Sequence, residues 1–102
     1  MSHRCPPARL RDVAGVLAAV RRWPGVVEKK PAIFYVGREP FLHFHLGADG
    51  QRRADVKGRA GWASFSLPQP LAAARRRALL SGLRRCYGER RQPRPKSRRV
   101  AS

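Results

Sequence analysis

Phe41-Leu42-His43-Phe44-His45-Leu46 runs into Gly47-Ala48-Asp49-Gly50 and on into Gln51-Arg52-Arg53-Ala54-Asp55-Val56-Lys57. This stretch decides the fold. Its apolar residues recur at every second position, the period of a half-buried strand. Asp49-Gly50 readily takes positive φ, so the two runs form a hairpin. Alternation then assigns sides. Leu42, Phe44, Leu46, Ala54 and Val56 go to the core, while Phe41, His43, His45, Arg53 and Asp55 go to the opposite face.

Working outward, Ala32 to Val36 is β-branched and aromatic and reads as the preceding strand. Gly37-Arg38-Glu39-Pro40 is its turn. Gly58-Arg59-Ala60-Gly61 turns the chain into a further strand, Trp62 to Leu67, with Phe65 and Leu67 inward and Trp62 and Ser64 outward. Tyr35 joins the outward set if Phe34 is inward. The short connections predict a four-stranded antiparallel meander.

A helix is predicted on each side. Leu10, Val13, Leu17 and Val20 recur at three and four over Ala8–Arg22, with Val16 widening the stripe, and Trp23-Pro24-Gly25 ends it. Val26 to Lys30 reads as a connector with room for a short extended piece. Pro70 suits the first position of a second helix over Leu71–Tyr87, packed through Ala72, Leu79, Leu83, Cys86 and Tyr87 and closed by Gly88. Arg76 falls on that packing face, where a long basic chain would reach past the sheet edge or to the rim of its polar side. The expected fold is α+β, a two-layer sandwich in the order α-β-β-β-β-α. Residues 1–7 are expected to be a flexible arm, 8–88 the domain, and 89–102 a disordered basic tail.

The chain has 102 residues, enough for one domain, and 23 Lys plus Arg against 6 Asp plus Glu, a net charge of +17. At 42% hydrophobic residues it is too apolar for a wholly disordered tail. No apolar run is long enough for a membrane span, and the N-terminus lacks a signal-type apolar core, so a cytoplasmic protein without membrane contact is expected. Cys5 and Cys86 are too few for a disulfide scaffold and lack C-x-x-C spacing; they read as reduced thiols.

The outward face collects the candidate ligand-binding residues His43, His45, Asp55, Arg53, Trp62, Ser64 and Tyr35. Aromatic walls with a few convergent polar groups are the usual makings of a ligand site. Two histidines two apart on a strand, facing a carboxylate on the next, also make His43, His45 and Asp55 a candidate metal set. A Ser64 nucleophile with a His–Asp pair is the enzymatic alternative, but no nucleophile elbow or oxyanion loop surrounds Ser64. No dinucleotide, phosphate-loop or H-E-x-x-H motif is present, and no cofactor follows from the sequence.

The charge is uneven. Residues 71–102 carry 11 basic residues and 1 acidic, net +10, against +7 for the first 70. Arg75, Arg77, Arg84, Arg85, Arg90, Arg91, Arg94, Lys96, Arg98 and Arg99 form a strip suited to nucleic acid or another polyanion, which would release counterions on contact. Arg outnumbers Lys 19 to 4, and such usage also arises from base composition alone. A homodimer through the outward sheet face is a further expectation.

Phe41-Leu42-His43-Phe44-His45, Gly50, Ala54-Asp55-Val56, Gly61-Trp62-Ala63-Ser64-Phe65-Ser66-Leu67 and a Leu-rich helix ending in Tyr87 together resemble the luciferase-like domain family, over residues 20–88. The resemblance implies a compact sheet-and-helix domain. The family pattern is longer before its Gly-Trp strand and tends to carry a further histidine there, where this chain has only Lys57 to Ala60. A site needing that histidine would be incomplete. Luminescence is therefore not expected, and it is the polar His/Asp sheet face that points to a ligand-binding or accessory domain.

Overall fold

The computed structural model describes residues 3–91. The chain is α+β with an antiparallel sheet, as the period-two pattern demands. The strands are β1 (His3–Arg4), β2 (Val26–Lys30), β3 (Ile33–Val36), β4 (Glu39–Leu46), β5 (Arg52–Gly58) and β6 (Gly61–Leu67). β2 to β6 follow one another across the sheet, and β1 pairs with β4. A 3-10 helix, Pro7–Val13, leads into α1 (Ala14–Arg21), and α2 spans Ala73–Arg91.

The meander therefore has five strands rather than four. Val26–Lys30, read as a connector, pairs with β3 from Val26↔Val36 to Lys30↔Ile33. It ends in a turn where Ala32 takes φ 63, and Glu28 accepts a 2.8 Å hydrogen bond from the Ala32 N–H. Within the expected arm of residues 1–7, residues 3–5 are not loose. His3 and Arg4 pair with Leu46 and His45, and Cys5 is buried. Since β5 occupies the other edge of β4, β1 continues the line of β3.

The first helix keeps its predicted face with a different geometry. Its leading part is 3-10, broken at Leu10 by φ −119. Residues three apart eclipse in a 3-10 turn, so Leu10 and Val13 still share the buried side with Val16, Leu17 and Val20. The second helix begins at Ala73, two residues later than expected, after a cis Gln69–Pro70 peptide. Leu71 takes the buried place foreseen for Ala72, which is exposed. The helix runs past Gly88 to Arg91, so 89–91 do not belong to a tail.

Both helices cover one face of the sheet, where Phe34, Leu42, Phe44, Ala54, Val56 and Leu67 meet Val13, Val20, Leu79, Leu83 and Cys86. One close approach depends on glycine: a Cβ on Gly82 would stand 2.5 Å from the Phe65 ring. Cys5 and Cys86 are free, and burial pushes both thiols up, consistent with packing rather than reactivity. No helix among the described residues is long and apolar enough to cross a membrane.

One departure from alternation matters. Between Phe34 and Tyr35 the register on β4 steps from Leu42 to Pro40, so Phe41 is an extra residue. Such a bulge interrupts the alternation of sides. Phe41, expected outward, is fully buried and meets Tyr87 edge-on at 6.2 Å.

The core also contains a charged pair. Arg52 shares the helix side of β5 with Ala54 and Val56, and its side chain is 1% exposed. It donates to both Asp12 oxygens at 2.8 Å and to the carbonyls of Leu67, Arg9 and Pro68. Asp12 also accepts the Leu71 N–H at 2.8 Å. One ion pair thus ties together the 3-10 helix, β5, the end of β6 and the approach to α2. The Arg52 hydrogen bonds lower the Asp12 pKa from 3.8 to about 2. A carboxyl depressed in the folded state stabilises above its unfolded pKa, and that contribution fades as pH falls through the folded value. Between pH 5 and 2 the unfolding free energy should fall by roughly 2 kcal/mol on account of Asp12. Urea midpoints across that range should change less steeply in Asp12→Asn than in the parent; equal slopes would contradict the assignment.

Candidate functional site

The face of the sheet away from the helices carries the candidate residues. Cross-strand pairing sets their positions: His43 opposite Asp55, His45 opposite Arg53, Asp55 opposite Ser64 and Lys57 opposite Trp62. Since both strands of each pair present the same side at paired positions, the row is common to β4, β5 and β6. Tyr35 reaches it from β3.

Asp55 is the hub. It is largely buried, and its Oδ1 accepts Ser64 Oγ at 2.6 Å and Arg53 Nε at 3.1 Å. Its Oδ2 lies 3.2 Å from His45 Nε2 and 3.2 Å from Arg53 Nε. Burial alone would raise this carboxyl, but the Ser64 and Arg53 hydrogen bonds, with the charges of Arg53 and His45, hold it below its ordinary value. Asp55 is thus an anion neutralised by its neighbours.

The two histidine rings meet nearly edge-on, 4.7 Å between centroids, and His43 is 4.8 Å from the Trp62 ring. Burial, then the neighbouring His45, pushes the His43 pKa down, with Arg4 and Arg53 adding to the effect against the pull of Asp55. His43 is accordingly a neutral imidazole near pH 7. The Nδ1 of His45 is buried and has no hydrogen-bond partner.

Arg4, Tyr35, Pro40, His43, His45 and Trp62 are among the walls of a cleft of about 270 Å³. A broader hollow of about 770 Å³ borders Arg53 and Ser64 at the Gly47–Gln51 end. Both aromatic walls carry a cation: Lys29 Nζ is 4.5 Å from the Tyr35 centroid and Lys57 Nζ 6.0 Å from that of Trp62.

All seven candidates named from alternation therefore share this face, and only Phe41 leaves it. Arg4 and Lys29 were missed. Each comes from a segment without a strand signal of its own, so pairing with β4 or β3 was needed to place it. Ser64 donates to the Asp55 carboxylate, so the hydroxyl-to-imidazole hydrogen bond of the enzymatic alternative is not among those formed by the described residues.

The basic strip is only partly on the surface. Arg75, Arg77, Arg84 and Arg85 are exposed, although the Arg84 guanidinium lies 5.4 Å over Trp23. Arg90 turns inward, its side chain 11% exposed, bonding Glu39 and the Pro40 and Lys57 carbonyls. Arg76 bonds the Leu71 carbonyl at 2.7 Å, rather than reaching the polar face. Arg91 is the last residue of α2, and Arg94, Lys96, Arg98 and Arg99 lie outside the described residues.

A scan of protein-family models and searches of curated proteins and of solved structures find no match to this chain.

Proposed function

We propose that the domain is a ligand-binding or accessory module whose open sheet face takes a small planar anion. The observation that carries this reading is the cleft over His43 and His45, walled by Tyr35 and Trp62 and edged by Arg4. The rings supply apolar contact for a flat group. Arg4, Lys29 and Lys57 leave the face positive, because its one carboxylate is already neutralised by Arg53. Size narrows the choice further. About 270 Å³ is just below the roughly 300–1,000 Å³ of ordinary ligand pockets, which suits one or two fused rings.

Phenyl phosphate and 2-naphthoate are suitable probes. Trp62 is 47% exposed while Trp23 is buried, so ligand quenching should report Trp62. Saturating probe should raise the melting temperature, and His43→Ala/His45→Ala should bind at least tenfold more weakly. Unchanged affinity in the double variant refutes the reading.

A further inference from the structure

We propose that His43, His45 and Asp55 hold a divalent first-row transition metal on the open sheet face. This inference rests on the reading of that face as a binding site and names what its floor would hold. One ligand atom from each residue lies within 4.8 Å of the others, and no second such grouping occurs among the described residues. Donors on one tetrahedral ion, at ~2.0–2.1 Å from it, stand roughly 3.3 Å apart. Small side-chain rotations close the difference, because a strand holds the two imidazoles on one side and register fixes Asp55 opposite His43.

The polar groups around the site agree with this use. His45 has a buried Nδ1 with no partner, an imidazole nitrogen whose lone pair or proton the protein leaves unanswered. Ser64 holds Asp55 by Oδ1, leaving Oδ2 with the looser 3.2 Å contacts to His45 and Arg53. The metal takes Oδ2 in their place. Ser64 then remains as the outer hydrogen bond that orients a ligating carboxylate. Arg53 is the competitor, and its side chain is 44% exposed, so it can yield to solvent. Two imidazoles and one carboxylate suit zinc, iron or cobalt over calcium or magnesium. The cysteines are not part of it: both are buried in the core with the helices. Three protein ligands leave at least one coordination position open toward the cleft, where the anion of the preceding section would complete the sphere.

The test is titration of the metal-stripped full-length protein with Co²⁺, read by visible absorption, and with Zn²⁺, read by calorimetry. One equivalent is expected, with d–d bands and no thiolate charge-transfer band. His43→Ala and His45→Ala should each weaken Co²⁺ binding at least 100-fold, with unchanged circular dichroism. Arg53→Ala should tighten it several-fold by removing the competitor for Asp55, an effect that general destabilisation would not produce. No binding by the parent, binding that survives both histidine variants, or weaker binding in Arg53→Ala overturns the proposal. Repeating the naphthoate titration in chelator separates the two readings. Retained naphthoate binding with no metal binding refutes the metal alone, whereas metal binding without any naphthoate binding refutes only the planar anion.

Discussion

Asp12→Ala should lower the unfolding free energy by about 3–5 kcal/mol, the cost of leaving a buried charge without its counter-ion. The Arg52 side chain is 1% exposed and would keep only its backbone carbonyl partners. A domain of this size has about 5–10 kcal/mol in total, so the variant should be marginally folded at 25 °C. Urea denaturation followed by circular dichroism measures the loss. The double variant Asp12→Ala/Arg52→Met should recover part of it, because an apolar replacement removes the stranded charge along with its partner. Purely additive losses would show that Arg52 acts through its carbonyl contacts and not through the pair.

Phe41→Ala should be comparably severe, again about 3–5 kcal/mol, because a fully buried ring leaves a cavity beneath α2. The alternation in the sequence assigns Phe41 to the open face, where truncation would cost no more than roughly 0.5 kcal/mol. The two placements therefore differ by several kilocalories, and a chemical denaturation curve separates them. A cost near zero would mean that β4 pairs without its bulge and that Phe41 stands beside His43.

The contrast between Phe41 and His43 shows how far the sequence could be read. His43, His45, Asp55, Arg53, Ser64 and Trp62 were assignable because they lie in hairpins closed by Gly47–Gly50 and Gly58–Gly61, and short turns leave little freedom of register. Gly50 does take positive φ, and Asp49 bonds the Gln51 N–H at 3.0 Å. Phe41 was not assignable, because a bulge is a property of the pairing between two strands and leaves no mark on either one alone. The same holds for β2 and β1. Val26–Lys30 has two β-branched residues followed by charge, and His3–Arg4 is too short for any period. Both are strands because a neighbour supplies the hydrogen bonds.

The amino-acid sequence by itself determined the class of fold, the two helices with their buried stripes, and the side of the sheet on which the histidines and Asp55 lie. Each of these rests on local periodicity and turn chemistry, which act over a few residues. Tertiary structure alone decided that Phe41 is core, that Arg4 and Lys29 join the candidate site, that Arg90 faces inward, and that Asp12 meets Arg52 across 40 positions of chain. Those outcomes depend on which segments become neighbours. A buried guanidinium must find a carboxylate and free carbonyls wherever the fold offers them, and no spacing along the chain records where that will be.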